Sequence, residues 1–362
     1  MLIHSELGVA SALRSLMLGI RLLFTVIALV AFKGAEYNVY SEYIALVSFL
    51  VVISGVELYN YNQKISRDIE EYEELRATYY FLEFITITLI SIIGYTYFNL
   101  SLILIIFAMS ELFLMELIRH QNYIGRFKFA QFYNLIFRGL TPLIVVFLSY
   151  VFRFNVDNYF IILGTINFLG VIYFLDVKFK ILKLAYIDIQ DLIKQVLPLL
   201  TYVSFYRYCD LILREKVNAL TIAEVEKNYV HLGITIIFIL EGFIEQIFLQ
   251  PVRNNLLKRK RYIFPKNFFF TTLFIFGILG CVHTRSPFDL LQVMIMYVVF
   301  RLVNGIYVIL YMRFNSRKFY IYTFLEVILF LFVILYDLWF ILLCYILVKT
   351  LLIKKNLVHA AK

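Results

Sequence analysis

The chain has 362 residues, 62% of them hydrophobic and only 16% charged, with 28 Tyr, 37 Phe and a net charge of +9. That balance excludes a soluble domain of this length, because soluble domains devote about a quarter of their residues to charge. It describes a chain bathed in hydrocarbon, where each run of roughly 20 apolar residues crosses a core of about 30 Å as one helix.

Twelve such runs can be read, predicting an all-α integral membrane protein with about twelve transmembrane helices in two six-helix lobes around a central cavity. They cover about 8–32, 37–59, 79–98, 100–118, 130–152, 159–176, 193–213, 229–250, 267–283, 288–312, 319–335 and 338–353. The first is expected to be retained, since no basic n-region precedes it and no small-residue cleavage site follows. It carries Arg14 and Arg21 in the stretch "LRSLMLGIR". At 100° per residue, Ser11, Arg14, Leu18, Arg21 and Thr25 form a stripe about 80° wide. No acid lies one turn from Arg21, and a charge at mid-span costs roughly 2.5–3.5 kcal/mol on the insertion scale. Such a residue faces a cavity or a partner on another helix. Arg138 in the fifth span lies at similar depth.

Residues 177–192, "DVKFKILKLAYIDIQD", read as an amphipathic helix in the membrane plane. They divide an N-lobe (1–176, spans 1–6) from a C-lobe (193–362, spans 7–12). Span 7 repeats the arginine pattern: Ser204, Arg207, Asp210 and Arg214 share a face, and Arg207 and Arg214 again stand seven apart. Two halves that open with an arginine-bearing helix suggest a repeat with a binding site at its interface. Span 8 places His231, Thr235, Glu241 and Glu245 on one face, and Arg301 lies near mid-depth in span 10. The alternative role for each arginine is structural, paired across helices with Glu111, Asp210, Glu241 or Glu326, or with Arg14 snorkelling to the surface.

The even loops and the C-terminal tail hold 22 Lys and Arg, and the odd loops hold six. The positive-inside rule therefore puts the even loops and both termini in the cytoplasm. This topology absorbs the net charge, so no nucleic-acid partner is implied, although basic loops also favour anionic lipid. The outer loops are too short for a catalytic domain. No P-loop, HExxH, GxSxG or CxxC is present. Cys209, Cys281 and Cys344 have neither disulfide nor zinc spacing and are expected to be buried thiols. No metal site, cofactor or enzyme activity is expected, and a secondary-active transporter is.

Over essentially its whole length the chain resembles polysaccharide-unit flippases of the O-antigen (Wzx) type, in the multidrug/oligosaccharidyl-lipid/polysaccharide exporter superfamily. The most telling segment is "SGVELYNYNQK" (54–64), followed by "ISRDIEEYEEL". The chain is shorter than most relatives. The resemblance implies alternating access in a bacterial cytoplasmic (inner) membrane. Its cargo would be an oligosaccharide on undecaprenyl pyrophosphate, for lipopolysaccharide O-antigen or another polysaccharide, and its partners would be other polysaccharide-assembly proteins. A pyrophosphate suits arginine forks. Arg21 and Arg207 are the expected contacts, Arg14 and Arg214 the guides, and Arg138 and Arg301 secondary cavity residues. Coupling would use a proton or sodium ion, with Glu241, Glu245 and His231 as its candidates. The alternatives are a MATE-type multidrug exporter, which would want an acidic cavity, and an integral-membrane polymerase or glycosyltransferase, which would carry a large outer loop. A membrane scaffold would have no need of mid-span arginines.

Overall fold

The computed structural model describes residues 2–174 and 189–244, apart from 56, 57, 67, 99, 220 and 222, together with residue 328. Among the described residues every regular element is a helix. They are α1 (Leu2–Ala31), α2 (Ala35–Gly55), α3 (Leu58–Ile65), α4 (Ile69–Phe98), α5 (Leu102–Tyr123), α6 (Phe127–Leu135), a π-helical turn (Ile136–Leu140), α7 (Thr141–Phe152), α8 (Val156–Phe174), α9 (Ile189–Asn218) and α10 (Glu224–Ile244). Among the described residues, five segments are long and apolar enough to cross a membrane: Ala12–Ala31, Ala35–Gly55, Ile69–Tyr97, Phe127–Phe152 and Val156–Phe174. The architecture is that of an all-helical membrane-embedded protein. The predicted spans 1–8 each meet described helix, whereas spans 9–12 lie outside the described residues but for residue 328 in span 11.

Two boundaries differ from the sequence-based expectation. Span 2, predicted to run to 59, is described as α2 up to Gly55 and as the start of α3 from Leu58, with residues 56 and 57 outside the described residues. A Cβ at Gly55 would come within 3.2 Å of Leu112 Cδ1, so α2 at this point is pressed against α5. The polar stretch after residue 64 was expected to be loop, but its second half is the start of α4. Asp68 Oδ1 accepts from the Glu71 amide at 2.9 Å, and Glu70 and Glu71 sit in the first turn, where carboxylates oppose the helix dipole. Lastly, α9 begins at Ile189, so the end of the predicted 177–192 segment is helix, while residues 175–188 lie outside the described residues.

By compactness the chain divides into Met1–Leu232 and Gly233–Lys362. The first unit contains α1 to α9 and the opening turns of α10. Its core joins Phe24 and Ala28 of α1, Phe32 just after it, Tyr37, Tyr40 and Leu50 of α2, Leu104, Phe107 and Leu112 of α5, and Tyr159, Phe160 and Leu163 of α8. Gly164 allows the closest approach of α8 to α5, since its Cβ would stand 3.4 Å from Phe107 Cα. Outward faces stay apolar: Ile144, Phe147 and Val151 of α7 and Leu169 and Ile172 of α8 are exposed. On a soluble protein such a surface would aggregate; against acyl chains it is the expected finish. Of the second unit, only residues 233–244 and residue 328 are described, with Ile234 and Ile239 buried.

Candidate functional site

Pro142 explains how Arg138 is presented. A proline inside a helix has no N–H to give, and its ring collides with the carbonyl four residues earlier. Here that carbonyl belongs to Arg138. The helix responds by widening over Ile136–Leu140, and the Thr141 amide reaches back to Ile136 O. Pro142 then opens α7 near its first position, where a missing donor costs least. Such π-helical insertions recur where a side chain must be aimed off the regular spiral. Gly139, in the same turn, faces α1: its Cβ would lie 3.5 Å from Ile20 Cγ2 and 3.7 Å from Met17 Cγ.

The result is a charged cluster among apolar helices. Arg138 Nη2 donates to Glu111 Oε2 on α5 at 3.0 Å, with the two side chains 25% and 19% exposed. Asn167 Nδ2 on α8, fully buried, donates to Glu111 Oε1 at 3.3 Å. Arg21 on α1 lies within electrostatic reach of both Glu111 and Arg138. Among the described residues, two guanidiniums thus face one carboxylate, which is ion-paired with Arg138 alone, leaving one excess positive charge. Three polar atoms in the cluster are buried without a hydrogen-bond partner: Arg21 Nε, Arg138 Nε and Asn167 Oδ1. Two turns before Arg21, Arg14 Nε reaches Gln131 Oε1 on α6 at 3.4 Å. Thr25, placed on the α1 stripe by the sequence pattern, is fully buried and donates to its own helix at Arg21 O, 2.7 Å away.

A second polar group ties α2, α9 and α10. Arg214, expected from the sequence to guide cargo, is instead 2% exposed and paired with Asp210 Oδ1 one turn back at 3.3 Å. Its Nη1 also donates to Ser41 Oγ. Ser41 Oγ lies 3.1 Å from His231 Nδ1, and His231 Nε2 lies 2.8 Å from Asn218 Oδ1. Asn218 Nδ2 donates to Glu42, and Lys227 Nζ reaches Asn218 O at 2.9 Å. Within this web His231 is fully buried. Arg207 stands half-buried on α9.

A third group closes the loop-side ends of α4 and α5. Arg76 Nη1 meets both Glu73 and His120, Arg119 Nη1 pairs with Glu116 at 2.7 Å, and the Arg119 guanidinium sits 5.2 Å from the centre of the Tyr59 ring. Burial, with the guanidiniums of Arg76 and Arg126, holds the His120 imidazole neutral, its pKa lowered to about 3.

The sequence-predicted residues therefore separate. Arg21 and Arg138 come together, with Arg14 further along α1; Arg214 and His231 belong to the α2–α9–α10 web. Glu241 falls within α10, and Glu245 and Arg301 lie outside the described residues. Asn167 and Gln131 were not singled out from the sequence, because an amide in an apolar run gives no sign of which helix it faces. Among the described residues no group of three or more His, Cys, Asp or Glu can hold a metal ion. No protein family, no curated protein and no solved structure matches this chain in comparison.

Proposed function

We propose that this protein is a flippase that moves oligosaccharide units linked to undecaprenyl pyrophosphate from the inner to the outer leaflet by ion-coupled alternating access. The observation that carries the reading is the cluster at Arg21: among the described residues two arginines on apolar helices face one carboxylate, Glu111, which is ion-paired with Arg138 and only within electrostatic range of Arg21, an excess of one positive charge. A structural ion pair would balance its charges, because an uncompensated buried charge costs several kcal/mol. An excess cation with spare guanidinium donors suits an anion that arrives and leaves, and a pyrophosphate offers the oxygens for a fork. The same excess argues against an exporter of cationic drugs. The partly open Arg138–Glu111 pair suits cargo access better than a sealed network does.

In this reading Arg21 and Arg138 hold the pyrophosphate and Arg14 lies on its approach. Arg207 and Arg301 remain candidates from the second half, and Arg214 has a structural role. Sugar hydroxyls would use side-chain amides. The setting is the bacterial cytoplasmic membrane with both termini inside, and the coupling ion is a proton or sodium. The test is surface polysaccharide measured beside quantitative blotting of the membrane fraction. Arg21→Ala and Arg138→Ala should each abolish polysaccharide at near-normal protein abundance, and lysine should rescue partly. Normal polysaccharide in both alanine variants would remove the reading.

A further inference from the structure

We infer that Glu111 is an internal competitor for the cargo's phosphate: a resident carboxylate that occupies the arginine fork between cycles and drives the anion off it. This rests on the flippase reading and assigns Glu111 a role in that same site.

The geometry is specific. Glu111 is gripped at both oxygens, Oε2 by Arg138 Nη2 at 3.0 Å and Oε1 by Asn167 Nδ2 at 3.3 Å. A carboxylate and a phosphate each present two oxygens to a guanidinium in similar geometry, so one fork accepts either. Arg138 cannot give the same donor to both. Of the other guanidinium donors, Arg21 Nε and Arg138 Nε are buried and without a hydrogen-bond partner. They mark where an incoming anion gains most, because a buried N–H without an acceptor bears its full desolvation cost. Among the described residues, the other ionisable groups facing the cluster are Tyr40 on α2, near Arg21, and Tyr159 on α8, near Glu111, and the two hydroxyls bond each other. Neither supplies a second cation to hold Glu111 once Arg138 has turned to a phosphate. Glu111 therefore pulls Arg138 back, and the carrier escapes the trap of binding its cargo too well. A carrier must bind firmly enough to load and weakly enough to release; a carboxylate beside the fork sets that balance.

The prediction has an unusual sign. Removing a mere counter-ion destabilises the protein, or tightens anion binding through charge alone and leaves turnover unslowed. Removing a competitor tightens binding and slows turnover. The full-length protein in detergent is titrated with farnesyl pyrophosphate, a short isoprenyl pyrophosphate. Reconstituted protein is assayed in parallel for flipping of a fluorescent isoprenyl-pyrophosphate lipid. Glu111→Gln should bind farnesyl pyrophosphate about tenfold more tightly, within the usual range of coupling between ligands that exclude one another, and should flip more slowly than wild type. Glu111→Asp, whose carboxylate is drawn back by one methylene, should tighten binding by a smaller factor; it carries the test if the glutamine variant does not fold. Wild-type-like or weaker binding in the folded variants would overturn the competitor role while leaving the anion-transport reading intact. Failure of the wild-type protein to bind farnesyl pyrophosphate would remove both.

Discussion

Arg21 and Arg214 look alike in the sequence, each in an apolar helix with a second arginine seven positions away. Their surroundings differ. Arg214 is sealed between Asp210, Ser41 and the His231–Asn218 pair, whereas Arg21 is within electrostatic range of the Arg138–Glu111 pair and keeps an unpaired Nε. Which neighbour each arginine meets depends on helix rotation and packing, and helical spacing alone records neither. The two should therefore respond oppositely to truncation. Arg214→Ala leaves Asp210 buried and unpaired, at about 3–5 kcal/mol. Membrane abundance should fall, and Asp210→Ala in the same chain should restore much of it; unchanged abundance in the single variant would refute the structural role. His120 makes a separate prediction. Its pKa is lowered from 6.5 to about 3, first by burial and then by Arg76 and Arg126. Between those values the unfolded chain binds a proton that the folded chain refuses. Stability contributed here is full above pH 6.5 and lost as pH falls towards 3. His120→Gln keeps an acceptor for Arg76 and should reduce the drop in melting temperature between pH 7 and pH 4.5. An identical drop would place the sensitivity elsewhere.

Helix existence was legible at the element scale, because runs of apolar residues between basic loops leave few alternatives in a bilayer. Helix ends and irregularities were less so. The start of α4 at Ile69 was hidden because "IEEYEEL" reads as polar, yet its Tyr72, Leu75 and Arg76 are buried between helices. The π-helical turn was also hidden; its one sign is Pro142, whose ring displaces the carbonyl of Arg138. That cause can be removed. Pro142→Ala restores an N–H and lets the regular ladder close through 136–140, turning Arg138 away from Glu111. Protein abundance should hold or rise, while flipping should fall at least about tenfold, since a displacement of about 1 Å can cost a hundredfold. Unchanged flipping would show that the widened turn does not position Arg138. Gly164→Leu is the contrasting change. It drives a side chain into the backbone of α5, 3.4 Å from where a Cβ would stand, and should lower stability by about 1–3 kcal/mol, read as a lower melting temperature in detergent.

At the scale of the whole molecule, the charge distribution makes the broadest prediction. The excess of 22 basic residues over six in alternate loops and tail assigns a direction to every span. Reporter fusions after Lys64, Lys183 and Lys260 should report cytoplasm, and one after Lys216 the outside. A consistent reversal would discard the orientation, and loss of alternation beyond Leu335 would discard only the last predicted hairpin. The predicted two-lobe repeat places α9 at the head of a second half, and α9 packs on α2 within the unit Met1–Leu232. Sequence periodicity shows that two helices resemble each other but not which partners they choose. The central claim is that Arg21 and Arg138 carry a lipid-linked pyrophosphate across the membrane. Its most direct test is the rate at which purified protein in liposomes exposes a fluorescent undecaprenyl-pyrophosphate oligosaccharide to a membrane-impermeant quencher. Wild-type protein should speed exposure well above that of protein-free liposomes, and Arg21→Ala and Arg138→Ala should return it to that background. A wild-type rate no faster than protein-free liposomes, or alanine variants as fast as wild type, would contradict the claim.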